Sequence, residues 1–257
     1  MQSSAPPSFV TAYEQEVVSR LSGLSSMARD GGLEAAVALL ATAIAQGGVV
    51  HAFGTGHSEA FAMEVAGRAG GLIPTNRIAL RDAVLFGEHS LDELAGQPPL
   101  ERDPRIAEDL FATVRREEHD VFVIASNSGV NSSVVGMALL AKEHGHPVIA
   151  VTSLQHTMAV AVKHPSGKRL ADVADVVLDN LAPYGDATLE AVGGVAVGAV
   201  SSVTSAFIAQ LLTIGTATRL LEQGAEAPLY VSANVPGGDE HNRELEARYS
   251  GRIRRGA

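Results

Sequence analysis

Residues 49–58 read VVHAFGTGHS and residues 121–131 read VFVIASNSGVN. Both stretches begin with an apolar run rich in β-branched and aromatic residues, which is typical of a strand buried in a parallel sheet. Both then turn, at glycine and hydroxyl-bearing residues, into a segment with helical spacing. Such a corner leaves unpaired backbone amides and the positive end of a helix dipole at one point. The two stretches therefore predict a pair of anion-binding corners, and phosphate is the anion that suits them best.

The sequence on either side of these stretches continues the alternation of strands and helices. Apolar runs and helical spacing predict strands Val49–Phe53, Val121–Ala125, Val148–Thr152 and Val173–Asp179, and helices Phe9–Ala28, Leu33–Gln46, His57–Ala69, Ile106–Glu118, Asn131–Glu143 and Ser201–Gln223. This alternation implies right-handed crossovers and a mainly parallel sheet covered on both faces, which is an α/β fold. The pattern is weak from Ile78 to Phe86, and Pro98-Pro99 marks a loop.

Composition excludes several classes of function. The 257 residues carry a net charge of -10 and no cysteine. A chain without clustered Lys and Arg lacks a nucleic-acid-binding surface, and a chain without cysteine lacks disulfides, thiolate metal sites and cysteine nucleophiles. The beginning of the chain does not read as a signal peptide, and glycines interrupt the apolar stretch Ala191–Ile214, so neither export nor a membrane span is expected. A cytoplasmic protein with a disordered tail over residues 1–8 is the prediction.

The chemistry of the two corners favours a particular kind of phosphate ligand. The dinucleotide motif G-x-G-x-x-G requires glycine where this chain has Glu59, and a carboxylate beside a pyrophosphate is unfavourable. A glycine-rich turn alone is weak evidence, since glycine often serves only to turn the chain. The corners instead offer hydroxyl and amide donors from Thr55, Ser58, Ser126, Asn127, Ser128 and Asn131. A neutral set of donors at one edge of a sheet suits a phosphomonoester on a sugar.

These residues resemble the sugar isomerase (SIS) domain family, whose second loop reads Ser-Gln/Asn-Ser-Gly. Further stretches resemble a subgroup of single-SIS-domain proteins of about 250 residues, namely Gly54–Glu59, His164–Leu170, Ser232–Asn234 and Asp239–Asn242. The resemblance implies a flavodoxin-like three-layer α/β/α sandwich with a mainly parallel five-stranded sheet. It also implies one domain over residues 9–257, with lead-in helices and a C-terminal extension, a phosphorylated sugar as ligand, and a homodimer or homotetramer with sites at subunit contacts.

The resemblance assigns roles to individual residues. The substrate- and phosphate-binding residues it implies are Gly54, Thr55, Gly56, His57, Ser58, Ser126, Asn127, Ser128 and Asn131, with Asn131 standing where the family commonly has threonine. Family enzymes place a glutamate on the helix after the first loop, and Glu64 matches it. That stretch is shorter here by about one helical turn, ~5.4 Å, so Glu59 and Glu88 stay open as alternatives. His89 and His241 are the candidate partners of the carboxylate.

Three functions remain open at this stage. An aldose–ketose isomerase needs a base that takes the proton between C1 and C2 and a group that moves protons between the oxygens, and a carboxylate with a histidine does this without metal or cofactor. A sensing module would bind the same sugar phosphate without chemistry. A lyase would remove a substituent from an amino-sugar phosphate. The loop Lys163–Arg169 is either a solvated basic loop or a lid over an anionic substrate.

Overall fold

The computed structural model of the protein describes residues 8–190 and 193–254. The tail expected over residues 1–8 lies outside the described residues except for Ser8, and so do Ala191 and Val192. Seven strands are described: β1 Val50–Gly54, β2 Thr75–Ile78, β3 Val121–Ala125, β4 Val148–Thr152, β5 Val176–Asp179, β6 Ala187–Glu190 and β7 Ala196–Ala199. The helices are α1 Phe9–Arg29, α2 Glu34–Ala45, α3 Glu59–Val65, α4 Asp82–Leu85, α5 Leu91–Ala95, α6 Ile106–Ala112, α7 Ser132–Glu143, α8 Leu154–Ala159, α9 Leu170–Val173, α10 Ser201–Glu222 and α11 Gly238–Ala247.

The main sheet has five parallel strands in the order β2-β1-β3-β4-β5. Its central strands β1, β3 and β4 are buried throughout, as their continuous apolar runs predict. Helices α2, α3 and α10 cover one face, and α6 and α7 cover the other. Successive strand residues point to opposite faces, so Ala52 joins the first core and Phe53 the second. The expected three-layer α/β/α fold with a mainly parallel five-stranded sheet is confirmed.

Several elements differ from the sequence-based expectation. Helix α3 ends at Val65 instead of Ala69, because Ala66 is extended and Gly67 has a φ of 75°. Strand β5 begins at Val176, since the preceding residues form the short helix α9. An antiparallel hairpin of β6 and β7 precedes α10 and was not expected. Each of its strands has only four residues, and glycines with positive φ angles, Gly193, Gly194 and Gly198, lie between the strands and in β7.

The C-terminal segment packs on the side of the sheet where β2 begins. Leu229 pairs with Leu72 in an isolated antiparallel bridge, and Tyr230 and Leu245 form a small core with Ile73. Leu72 and Ile73 immediately precede β2, so α11 lies near the amino ends of the parallel strands. Over residues 8–190 and 193–254, no helix combines the length and apolar character needed to cross a membrane.

Candidate functional site

The two predicted corners lie side by side at one edge of the sheet. Strands β1 and β3 are hydrogen-bonded neighbours, and their last residues, Gly54 and Ala125, are direct partners in the register. Each corner starts one residue later, at Thr55 and Ser126. The order of strands also reverses here, since the sheet grows from β1 to β2 on one side and from β3 to β4 on the other. Open α/β sheets bind ligands at such a switch point.

The first corner is a tight turn that requires glycine. A Cβ on Gly54 would lie 2.3 Å from the carbonyl oxygen of Ser58. This distance is too short for any Cβ, so only glycine fits here. Gly56 has a φ of 57°, in the left-handed region that glycine adopts without strain. A single 3-10 turn over Gly56–Ser58 follows and leads into α3. His57 is exposed and Ser58 is half-buried, so both side chains stand at the surface of the corner.

The second corner is held by its own serine. The Gly129 amide donates to Ser126 Oγ at 3.1 Å, and Gly129 has a φ of 62°. A Cβ at Gly129 would lie 3.1 Å from Thr152 Oγ1 and 3.0 Å from Thr157 Oγ1. The hydroxyl of Ser126 therefore shapes the loop, while Ser128 has no side-chain hydrogen bond to any residue of the described chain.

Asn127 connects the second corner to the next two strands. Its carbonyl oxygen accepts from the Ser153 amide at 3.3 Å and from Thr152 Oγ1 at 3.3 Å. Its side-chain oxygen accepts from Asn180 Nδ2 at 3.2 Å. Since Ser153 follows β4 and Asn180 follows β5, the corner is braced by residues at the ends of the next two strands of the sheet. The side-chain oxygen of Asn127 is thus already occupied, and only its Nδ2 is left to donate a hydrogen bond to a ligand.

Helix α7 begins at the second corner and points its amino end at it. Asn131 occupies the N-cap position, yet its side chain makes no capping bond. The first amides of a helix have no partner within the helix and attract anions. Ser133, in the first turn, is fully buried, and its Oγ has no partner in the described chain. The helix amides and the Ser128 hydroxyl offer donors for a phosphate-sized anion, whereas the Ser133 hydroxyl is enclosed.

Both the oxygen and the nitrogen of the Asn131 side-chain amide have hydrogen-bond partners. Lys163 Nζ donates to Asn131 Oδ1 at 3.3 Å, and Asn131 Nδ2 donates to Glu101 Oε1 at 3.4 Å. The other oxygen of Glu101 faces the first corner, since a Cβ on Gly56 would lie 4.0 Å from Glu101 Oε2. Glu101 therefore stands between the two corners. No local sequence pattern points to Glu101, because it lies in a proline-marked loop and reaches Asn131, 30 residues away, only through the fold.

Of the three carboxylates expected from the sequence, Glu64 and Glu59 bind other side chains, and Glu88 lies in a separate cavity. Glu64 Oε1 accepts from Gln210 Nε2 on α10 at 2.7 Å and also pairs with Arg68. Glu59 Oε1 lies 3.2 Å from Arg81 Nη2. Glu88 is exposed and lines a cavity of about 460 Å³ between the Phe86–His89 segment and α6, with Asp109 and Thr113 on the opposite wall. The contacts of Glu64 and Glu59 are with α3, its neighbours and α10, not with the corners.

The predicted histidines also have partners away from the two corners. His89 Nε2 donates to Asp109 Oδ2 at 2.8 Å and Nδ1 lies 3.4 Å from Glu93. The hydrogen bond to Asp109 raises the pKa of His89, with the charge of Glu93 adding to it against partial burial. His241 Nε2 donates to the Leu229 carbonyl at 3.0 Å. Leu229 pairs with Leu72 near the amino ends of the strands, so the structure does not bring His241 to the corners within one chain.

The sequence predicts no metal at this site. Across residues 8–190 and 193–254, no three His, Asp or Glu side chains cluster as a metal ion would require. A metal-independent site remains a prediction. Asn180 reaches Asn127, whereas Asp186 accepts from the Ser201 amide at 2.8 Å and caps α10.

Comparison with known proteins gives matches over nearly the whole chain. The family model described as the SIS domain matches residues 12–153. A UPF0309 protein of Brucella anthropi is 39% identical over 242 residues, which are 93% of this chain and 96% of that protein. A UPF0309 protein of Caldanaerobacter subterraneus subsp. tengcongensis is 33% identical over 246 residues, which are 94% of this chain and 98% of that protein.

Solved structures share the fold at low identity. A phosphoheptose isomerase from Neisseria gonorrhoeae superimposes with a TM-score of 0.51 at 19% identity, covering 80% of this chain and 96% of that one. The E. coli CFT073 protein c3406 in complex with A5P gives a TM-score of 0.52 at 16% identity, covering 83% of this chain and 89% of that one. At these identities the likeness concerns the layered α/β fold.

Proposed function

Because this chain belongs to the SIS domain family, as its two corners predicted, we propose that it binds a phosphorylated sugar between those corners and interconverts the aldose and ketose forms. The observation that carries the proposal is the pairing of Gly54 with Ala125 in neighbouring parallel strands. This register supports a joint site, since donors of both corners can reach one ligand.

The phosphate belongs at the second corner. The free amides at the start of α7 and the hydroxyl of Ser128, which has no hydrogen bond within the described residues, are donors without an acceptor. A chain with a net charge of -10 does not attract an anion over a distance, so these local donors must hold it. Charge-assisted hydrogen bonds to phosphate are the stronger kind, and several of them together suffice.

The sugar then extends toward the first corner. Thr55, His57 and Ser58 stand on the side of the site where the carbonyl and hydroxyl carbons of the sugar would lie. Isomerisation moves one proton from C2 to C1, and a second proton from O2 to O1, through an enediol. A carboxylate can take and return the first proton, and a hydroxyl or imidazole can carry the second. No metal is required for these steps.

The proposal is tested by binding and exchange measured on the same protein. Purified protein is titrated with a panel of sugar phosphates that includes A5P and a heptose phosphate, and is then incubated with each in deuterated water. We expect at least one compound to bind and to gain deuterium at C1 or C2. Binding without exchange would indicate a sensing module, and release of a new product would indicate a lyase. Failure of every sugar phosphate to bind contradicts the proposal as a whole.

A further inference from the structure

We infer that Glu101 is the catalytic base of this site, held in place by Asn131; the inference rests on the proposed isomerase function. The geometry that points to it is the position of one carboxylate between both corners. One oxygen lies 3.4 Å from Asn131 Nδ2 at the second corner, and the other lies 4.0 Å from the place of a Cβ on Gly56 at the first. A sugar whose phosphate sits at the second corner must pass this carboxylate to reach the first.

Glu101 is free to act as a base, whereas Glu64 and Glu59 are engaged by other side chains and Glu88 lines a cavity that contains no corner residue. It forms no ion pair with any lysine, arginine or histidine in the described part of the chain, and its one hydrogen bond, at 3.4 Å, is longer than usual. Glu64 is bound by Gln210 and Arg68, and Glu59 by Arg81. A carboxylate paired with a guanidinium is a poorer base, because proton uptake would break the pair.

The surroundings of Glu101 also suit a carboxylate that takes a proton from the substrate. Its side chain is half-buried, so it can be desolvated when a substrate covers it while remaining accessible from the site. The loop that carries it packs on α7 through the 3-10 turn Leu100–Arg102, with Leu100 buried in the second core. The carboxylate is therefore attached to the same helix that holds the phosphate.

Asn131 acts as the positioning residue. Lys163 Nζ can only donate, so it fixes Oδ1 of Asn131 toward itself and turns Nδ2 toward Glu101. A threonine hydroxyl at this position would be too short to bridge the lysine and the glutamate, whereas the asparagine amide reaches both. The amide donor of Asn131 is thus used on Glu101 and not on the phosphate.

The reaction step balances without a further reactant. Glu101 takes the proton from C2 of the aldose, the C2–H electron pair forms the C1–C2 double bond of the enediol, and the carbonyl oxygen takes up a proton from a neighbouring donor. Protonated Glu101 then returns its proton to C1, while the O2–H proton leaves and the C2 carbonyl forms. The base ends as it began, and the same residue serves the reverse reaction.

The test compares Glu101→Gln with Glu108→Gln, which changes the net charge equally on the exposed surface of α6. We expect Glu101→Gln to lower the rate of deuterium exchange about 100-fold or more while the affinity for the sugar phosphate stays within about threefold. Glu108→Gln should retain the rate of the unmodified protein. As a second variant, Glu101→Ala should regain exchange when formate is added, since formate fits the space of the missing carboxylate.

Each outcome decides between the two proposals. Exchange that persists in Glu101→Gln overturns the role of Glu101 and leaves the isomerase proposal standing. Binding without exchange in the unmodified protein overturns the role of Glu101 and the isomerase reaction, but not the phosphate corner. Binding of no sugar phosphate overturns both proposals together.

The positioning role of Asn131 has a separate readout. Asn131→Asp places a second carboxylate beside Glu101, and like charges oppose ionisation. The acid limb of the pH dependence of exchange should therefore move to higher pH in this variant, by about one unit. A lower rate with an unchanged pH profile would indicate a merely structural residue and would overturn the positioning role.

Discussion

Ser126 and Ser128 stand two residues apart in one loop but have different surroundings. Ser126 Oγ accepts from the Gly129 amide at 3.1 Å, whereas the Ser128 hydroxyl has no hydrogen bond within the described residues. The first hydroxyl shapes the corner, and the second is available to a ligand. Substituting each by alanine therefore separates folding from binding.

Ser128→Ala is expected to weaken binding of the sugar phosphate about tenfold, because one hydrogen bond to a charged group is lost, while stability stays unchanged. Ser126→Ala is expected to lower the free energy of unfolding by about 1 kcal/mol, because the Gly129 amide loses its acceptor. Calorimetric titration and urea unfolding of both variants measure the two effects. Equal stability losses in both would contradict the division of roles.

His51 illustrates how a buried histidine affects stability. Its Nε2 donates to Asp120 Oδ2 at 3.0 Å, and its Nδ1 accepts from Asn76 at 3.3 Å, which fits a neutral ring. Burial lowers the pKa of His51, and the neighbouring Asp120 offsets this only in part. In the unfolded chain the ring takes up a proton near its ordinary pKa of 6.5.

The sign of the pH dependence follows from this difference. Below pH 6.5 the unfolded state binds a proton that folded His51 rejects, so stability falls as the pH falls. In His51→Gln, whose amide can still donate to Asp120, the slope of unfolding free energy between pH 7 and pH 5 should be reduced by up to about 1.4 kcal/mol per pH unit. Urea unfolding at three pH values measures it. The exposed His119→Gln is the control, and an identical slope in both variants would contradict the role of His51.

At the scale of elements, the three central strands and the turns that follow β1 and β3 were predictable, whereas strands β2, β6 and β7 and the contacts between distant segments were not. Strand β3 was predicted with its observed bounds, and β4 likewise, because continuous runs of β-branched residues have few other uses. The corner residues Gly54 and Ser126 were found because glycine and serine serve specific backbone geometries. Both signals are local in the chain.

Contacts that depend on tertiary packing carried no local signal. The tie of Glu101 to Asn131 crosses 30 residues, and it begins in a loop without periodicity. The hairpin β6–β7 was missed because its strands have only four residues each, and Gly198 interrupts the short apolar run of β7. His89 was singled out as a polar residue in a poorly patterned region, and its observed partner Asp109 lies on α6, 20 residues away.

The segment after α11 contacts the regions of β1, β2 and β3 through Arg252 and Arg254. Arg252 donates to the Gly47 carbonyl at 2.8 Å and pairs with Asp120, while the Arg254 amide donates to Asn76 Oδ1 at 3.1 Å. Asp120 is fully buried and the Arg252 side chain is 9% exposed. The C-terminal segment therefore neutralises a buried carboxylate beneath β1 and β3.

Arg252→Ala is expected to lower the free energy of unfolding by about 3 kcal/mol, because Asp120 would remain buried with one charged partner fewer. Thermal and urea unfolding measure the loss. Arg248→Ala is the matched control, since Arg248 forms only an exposed ion pair with Glu226 at 2.5 Å, and its unfolding midpoint should not change. A loss in Arg252→Ala no larger than that of the control would show that the C-terminal segment contributes little.

At the scale of the whole molecule, one apolar surface is left uncovered by residues 8–190 and 193–254. It joins the first turn of α1 to the hairpin, where Phe9, Val10, Val195 and Val197 are 81%, 58%, 69% and 48% exposed. The Tyr13 hydroxyl donates to the Ala199 carbonyl at 2.8 Å and holds the two elements together. Apolar residues gathered in this way favour association, and a symmetric dimer is the usual result.

We therefore predict a homodimer or homotetramer that uses this surface. Light scattering should give a mass of at least twice 26.6 kDa. The double variant Val195→Lys, Val197→Lys should shift the mass toward 26.6 kDa, because two charges buried in the contact would oppose association. Leu91→Lys changes an equally exposed leucine, 71% accessible, on α5, and it should leave the mass unchanged. A mass of 26.6 kDa for the unmodified protein contradicts self-association. A loss of mass in the Leu91 variant alone would instead place the contact on the α5 side, next to the loop that carries Glu101.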